Sequence, residues 1–388
     1  MDKNSILKLH KCGKMEIKPT VPLKNKTDLS VAYTPGVAEV CMEIKNNPSS
    51  SYDYTIKNNS VAIVTDGSAV LGLGDIGPAA ALPVMEGKAI LFKEFGNVDA
   101  YPVCLNTKKP WEIIETVFRI STGFGGINLE DISSPRCFLI EEKLKKKIDI
   151  PVFHDDQHGT AIVVLAALIN SLKISGKKIS DIKIVINGAG AAGIAITKFL
   201  YRAGAKKIIL CDRSGVIYKG RKERMNFAKK EITKYILKDV KQGSLKDAIE
   251  KADVFIGVSG PNMITKEMIK NMNKKPIIFA MANPIPEIMP DEAKRAGAFI
   301  VGTGRSDFSN QINNLLAFPG IFRGLLDTRA KKITEKMKIE AAKAIAKMVP
   351  EKNLSPENII PSPLNKEVAK KVAEAVKKSY YDNHGENK

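Results

Sequence analysis

One stretch narrows the possible folds more than any other: three glycines, Gly188, Gly190 and Gly193, in the spacing G-x-G-x-x-G. An apolar run at residues 182–186 leads into them, and helix-forming sequence at 191–203 leads out. The next apolar run, 207–211, ends in Asp212, which is 22 residues after Gly190. In a strand–turn–helix unit such glycines permit a tight turn and let the backbone approach a pyrophosphate closely. The helix N-terminus then favours the phosphate charge. The pattern predicts a dinucleotide site at Gly188, Gly190, Ala191, Ala192 and Gly193. Asp212 stands where a carboxylate accepts hydrogen bonds from the adenosine ribose hydroxyls, which favours NAD; Arg213 beside it keeps NADP open.

The surroundings agree with this expectation. From Ser180 onward the segments DIKIVING, IAITKFLYRAG, KKIILCD, SLKDAIEKA, DVFIGVSG and KPIIFAMANP alternate between strand and helix character. That alternation gives a parallel sheet covered by helices. Up to about Pro151 the chain mixes short strands, turns and helices. From Thr328 it becomes Lys/Glu/Ala-rich helix, broken at 350–363. The expected class is α/β: a mixed α/β domain over 1–160, then a Rossmann-type, doubly wound parallel-sheet domain over 161–388 that includes C-terminal helices at 328–388.

A second glycine triplet, Gly72, Gly74 and Gly77, has Asp99 at a suggestive distance. Pro78 and Pro83 interrupt the helix that should follow, and the segment before Lys88 is short for a crossover. The reading is a Gly-rich loop that brings backbone close to a ligand, with a plain turn as the alternative.

Two acidic pairs follow apolar strands: Glu130-Asp131 in GGINLEDIS and Asp155-Asp156 in PVFHDDQHGTA. Adjacent carboxylates in apolar surroundings repel, so they need a cation, a base or a capping role. Three such oxygens suit Mg²⁺ or Mn²⁺. His154 and His158 are four residues apart but lack the glutamate of a helical zinc motif, and the acidic pair between them argues against zinc.

Composition removes other classes. The formal charge is +19, from 61 Lys+Arg against 42 Asp+Glu. These lysines are dispersed, and the densest cluster, 143–147, follows Glu141 and Glu142 and reads as the solvated face of a helix. With one Trp and no aromatic–basic alternation, nucleic-acid binding is not expected, whereas a positive field suits small polyanions. The longest apolar run, 161–169, is short for a bilayer, and residues 1–11 lack a signal-peptide h-region. No membrane association is expected. The five scattered cysteines show no metal or disulfide spacing and fit a reducing cytoplasm.

Taken in order, AYTPGVAEV, VTDGSAVLGLGDIGP, MEGKAILFKEFGNVDAYP, INLEDI, PVFHDDQHGTA, INGAGAAGIA, MANPIPEI and NNLLAFPGIFRG resemble the motifs of the malic enzyme family, in its short prokaryotic type. The resemblance covers the chain from about residue 15. It implies oxidative decarboxylation of (S)-malate to pyruvate and CO2 with reduction of NAD(P), dependent on Mg²⁺ or Mn²⁺. By motif position it implies Lys88 as general base, with Lys93 as rival, and Tyr33 as general acid. Glu130, Asp131 and Asp156 are implied as metal ligands and Asp155 as the carboxylate supporting the lysine. Asn283 and Asn314 are implied to hold substrate carboxylate, Asn283 also bordering the cofactor, and Ser259 and Gly260 to line the nicotinamide. A homodimer is implied, with Tyr33 serving its own site or its neighbour's. The long eukaryotic type carries an Arg just before LGLGD that pairs with a substrate carboxylate. Here Ser68 and Ala69 stand instead, and the anchor for that carboxylate is left open. Two other readings compete: a metal-free Rossmann amino-acid or hydroxy-acid dehydrogenase using Lys88 as base, and a basic nucleotide-binding protein without catalysis.

Overall fold

The computed structural model describes residues 2–70, 72–238, 240 and 242–384. Leu71, inside the first glycine loop, lies outside the described residues. Two open sheets organise the chain. The first has four parallel strands in the order β2-β1-β3-β4, namely β1 Ser60–Thr65, β2 Asp99–Cys104, β3 Gly126–Leu129 and β4 Val152–His154. The second has six, from β5 Lys183–Asn187, β6 Lys207–Asp212, β7 Gly215–Val216, β8 Val254–Gly257 and β9 Ile277–Ala280 to β10 Ile300–Thr303. Their order is β10-β9-β8-β5-β6-β7, parallel except for the short β7, which pairs antiparallel with β6. The order reverses between β5 and β8, which is the switch point where doubly wound sheets bind ligands. β7 and β10 were not singled out in the sequence.

Parallel strands buried on both faces read as continuous apolar runs rather than alternating ones. β1 and β9 are buried at every position, and β5 at all but Lys183. The largest apolar cluster runs without a break from Val61, Ile63 and Phe153 to Ile184 and Ile186, joining the two sheets. Between them lies the helix Asp155–Ser175, whose residues 161–168 are all buried, and Gly176 closes it in a left-handed cap. By length and composition this helix could cross a membrane, yet most of it is buried inside the protein. The helices Phe318–Asp327, Glu335–Lys347 and Lys366–His384 return across this core. Phe92, Phe318, Phe322 and Phe153 pack there with ring centroids 4.7 to 5.8 Å apart.

The glycine loop at 72–77 corrects one expectation. A helix does follow it, Gly77–Gly96, twenty residues long, with Pro78 in the first turn and Pro83 inside. The N–H of Pro78 would have had no partner in any case, and Pro83 gives up one backbone bond that the packing of Met85, Ala89 and Phe92 offsets. The helix is a full crossover between parallel β1 and β2. Gly72 lies at φ +74°, and a Cβ there would meet the Asn283 carbonyl at 2.9 Å, so the loop reaches across to the second sheet. The 143–147 lysine cluster is solvated only in part: Glu141 is 5% exposed and accepts from Lys145 and His158, both at 2.7–2.8 Å.

Candidate active site

The chemistry-bearing side chains collect at the carboxyl ends of the strands. β3 delivers Glu130 and Asp131 directly after Leu129, and β4 delivers Asp155 and Asp156 into the first turn of the following helix. Asp131 sits at φ +53°, a strained conformation for a non-glycine residue that turns its side chain toward Asp156. One oxygen from each of Glu130, Asp131 and Asp156 lies within 4.8 Å of the other two. The Asp156 carboxylate also accepts from the Asp131 amide at 2.9 Å, which ties the two loops together.

Lys88 enters from the helix Gly77–Gly96. Its ammonium donates to Glu130 at 2.8–2.9 Å and to Asp155, and stands 4.1 Å from the centre of the Phe318 ring. It is 7% exposed, and Asp155 is fully buried. Asn314 donates to Asp155 at 2.6 Å, and Asn128, two residues before Glu130 and so on the same face of β3, donates to Glu130 at 2.9 Å. Gly159 is required beneath this pair, because a Cβ there would overlap the Asp155 carboxylate.

Charge in this group does not balance. Four carboxylates share one ammonium. Burial is the largest single influence against the charge on Lys88, but Asp155 and Glu130 together outweigh it and hold its pKa above the ordinary lysine range. The acids bear the excess: burial and then mutual repulsion from Asp156 and Glu130 push Asp131 up to about 9. Burial, opposed by Lys88 and reinforced by Glu130, pushes Asp155 up to about 7. Hard oxygen donors gathered at this spacing with a surplus of negative charge fit a divalent cation.

A cavity of about 1210 Å³ opens beside the cluster. Its wall takes Lys88, Glu130, Asp131 and Asp156 from the first half of the chain, and Gly190, Ala191, Ala192, Ser259, Gly260, Asn283 and Asn314 from the second. Gly188 and Gly193 stand behind that wall. A Cβ on Gly193 would overlap the Gly188 carbonyl, so the glycines shape the turn itself. Ser259 is fixed by Asn187 at 2.9 Å and by Glu287, which accepts from its amide at 3.1 Å.

Three residues singled out in the sequence stand elsewhere. Lys93, the rival base, is 56% exposed and paired with Asp99. Asp212 is at the end of β6, but both its oxygens accept from Arg221 at 2.7 Å, while Lys229 at 2.5 Å and the Ser214 amide at 2.9 Å take the remaining positions. Burial works against its charge, yet Lys229 and Arg221 outweigh it and hold its pKa below the ordinary value. Tyr33, at the end of the short helix Lys26–Ala32, is 67% exposed and does not reach the cavity wall. The sequence reading missed Asn128 and Phe318. Asn128 was detectable from its place two residues before Glu130; nothing local marks Phe318.

A Rossmann-type sheet with a glycine turn opening into the same cavity as a buried lysine and an acidic cluster defines a nicotinamide-dependent oxidoreductase. Comparison with known proteins makes this specific. The family model described as malic enzyme, N-terminal domain, matches residues 12–145, and that described as malic enzyme, NAD binding domain, matches 157–381. The bifunctional malic/malolactic enzyme of Bacillus subtilis (strain 168) is 60% identical over 96% of this chain and 92% of its own length. The NAD-dependent malic enzyme of Geobacillus stearothermophilus is 56% identical over 96% of this chain and 78% of its own length. The crystal structure of malic enzyme from Pyrococcus horikoshii superposes with a TM-score of 0.94 at 49% identity, covering 99% of this chain and 92% of that one. The chain belongs to the malic enzyme family, in its short prokaryotic type. It is an NAD(P)-dependent enzyme of oxidative malate decarboxylation.

Proposed function

We propose that Glu130, Asp131 and Asp156 hold Mg²⁺ or Mn²⁺, that Lys88 is the general base and that Tyr33 is the general acid. The observation that carries this reading is the burial of Lys88 between Glu130 and Asp155, at the edge of the three-carboxylate group and on the wall shared with the glycine turn. When bound, the dinucleotide accepts a hydride and the cation supplies positive charge beside the oxygens that become alkoxide and then enolate.

The chain's own residues do the rest. Lys88 takes the proton of the C2 hydroxyl as the hydride departs from C2, and a lysine does this only once its own proton has been released. The pair that now holds that proton is Glu130 and Asp155. With Glu130 holding a cation, Lys88 would keep one carboxylate fewer, which would favour release. Asp155, fixed by Asn314, keeps the lysine aimed. Loss of the C4 carboxylate as CO2 leaves an enolate, and Tyr33 gives it a proton at C3. Asn283 and Asn314 orient the substrate carboxylate, and Ser259 and Gly260 border the nicotinamide. The proposed division is 1–160 for substrate and metal and 161–388 for the dinucleotide, with the helix Asp155–Ser175 crossing it.

NAD is the proposed cofactor, from the place of Asp212 at the end of β6; Arg221 and Lys229, which hold its carboxylate, and the adjacent Arg213 keep NADP within reach. The proposed setting is the cytoplasm, where the five free cysteines stay reduced. A homodimer is proposed in which Tyr33 serves the neighbouring site, because in the single chain it stands outside its own cavity.

The test is malate-dependent NAD reduction before and after chelation. Activity is expected to vanish with chelator and return with Mn²⁺. Full turnover without a divalent ion overturns the metal reading. Lys88→Ala is expected to lose on the order of 10²–10⁴-fold in kcat, with Lys93→Ala unaffected; the opposite pattern moves the base to Lys93.

A further inference from the structure

A four-carbon diacid presents two carboxylates, and a cavity that selects it needs a cation for each or an equivalent. Among the described residues of the cavity wall the charged side chains are Lys14, Lys88, Glu130, Asp131 and Asp156. No arginine lines it, and Lys88 is committed to Glu130 and Asp155. Lys14 has no carboxylate partner among the described residues. Its ammonium rests on the Pro83 carbonyl at 2.8 Å.

The placement of Lys14 is specific. It is the only half-buried residue between Lys11 and Thr27, the others being exposed. The chain enters it through two consecutive left-handed residues, Cys12 at φ +66° and Gly13 at φ +80°. Cys12 is not glycine, so that turn carries strain, which marks a position held for a reason. Gly13 passes close to Glu86, where a Cβ would stand 3.1 Å from the carboxylate. The ammonium then reaches the helix Gly77–Gly96 at Pro83 and Gly87; it would be 3.6 Å from a Cβ at Gly87. Val84, Gly87, Lys88 and Leu91 line the cavity at the i, i+3, i+4, i+7 spacing of one helix face. Lys14 therefore lies over the same face as the proposed base, about one turn, roughly 5 Å, nearer the helix N-terminus.

The geometry points to Lys14 as the anchor for the substrate carboxylate remote from the metal-binding acids. It supplies from the N-terminal segment the positive charge that no arginine provides at Ser68 and Ala69. This rests on the malate reading of the site and adds to it the residue that makes the enzyme choose a diacid over a monoacid. Lys14 gives an ion pair to a carboxylate and takes no part in proton or hydride transfer.

The experiment compares the unaltered enzyme with Lys14→Met and Lys14→Arg, using (S)-malate and the monoacid 2-hydroxybutyrate, with NAD binding followed by fluorescence. Calorimetry of malate binding in the presence of NADH gives a readout independent of turnover. Lys14→Met is expected to raise the KM and Kd for malate at least tenfold, leaving NAD binding and kcat/KM for the monoacid unchanged. Lys14→Arg is expected to stay within about threefold, since it keeps the charge. Malate constants within twofold in Lys14→Met, or an equal loss on both acids, overturn the assignment while leaving the malate reading intact. No malate turnover by the unaltered enzyme overturns both.

Discussion

Asp131 is the residue at which folding and chemistry conflict most openly. A carboxylate that is 4% exposed, in a left-handed conformation and beside two like charges, costs stability whenever it is ionised. Its pKa is pushed up to about 9 by burial and then by Asp156 and Glu130. A folded-state pKa above the unfolded value means that the native protein binds more protons than the unfolded one. The contribution is favourable at low pH and is lost as pH rises from about 4 toward about 9. Asp155, pushed up to about 7, acts in the same direction. The metal-free protein is therefore expected to lose thermal stability between about pH 6 and pH 9. Added Mn²⁺ is expected to raise Tm more at the upper end, where the ligands are deprotonated. An equal Mn²⁺ shift at both ends would argue against these acids sharing one ion. Asp212 offers a second test at this scale. Asp212→Ala leaves Arg221 and Lys229 without their anion, so kcat/KM for NAD relative to NADP is expected to fall about tenfold, the equivalent of ~1.4 kcal/mol. An unchanged ratio would remove Asp212 from cofactor choice.

At the scale of elements, what the sequence made legible follows from where strands end. Glu130 with Asp131 and Asp155 with Asp156 follow the ends of β3 and β4 in the first sheet, Gly188 follows the end of β5 in the second, and in each parallel sheet such ends share one edge. Those local patterns sufficed to assemble most of the site. Other features lay beyond local pattern. The helix Gly77–Gly96 contains Pro83, which propensity counts against, while the packing of its apolar face prevails. The acceptors of Asp212 are filled by residues 9 and 17 positions onward, a closure that no sequence spacing announces. The helix Asp155–Ser175 gives an element-level prediction. A methyl at position 159 must displace the Asp155 carboxylate, one turn back on the same helix and paired with Lys88 and Asn314. Gly159→Ala is expected to lower kcat at least tenfold while NAD binding, built on the other sheet, stays unchanged. Parallel loss of both would show that the helix as a whole, rather than Asp155, had moved.

For the whole molecule, the N-terminal segment decides what the working unit is. The helices Lys3–His10, Lys26–Ala32 and Val37–Asn46 bury no residue, and Leu9, Ile17, Val21, Leu23, Val31 and Tyr33 are each more than half exposed. Apolar surface on this scale is what supports the proposal of a contact with another chain. The proposed second copy would satisfy it with one symmetric interface and would bring a Tyr33 to each cavity. Lys88 belongs unambiguously to its own cavity, so the two residues can be separated genetically. Tyr33→Phe and Lys88→Ala are each expected to be inactive in oxidative decarboxylation when pure. If Tyr33 acts across the interface, a mixed dimer holds one site with both residues intact and one with neither. Random pairing of equal amounts makes half the dimers mixed, so co-refolded protein is expected to recover up to about one quarter of the unaltered activity. If Tyr33 serves its own chain, every site in the mixture keeps one defect and no activity returns. Sedimentation of the same samples checks that the mixture is dimeric, so silence from a dimer would return Tyr33 to its own subunit.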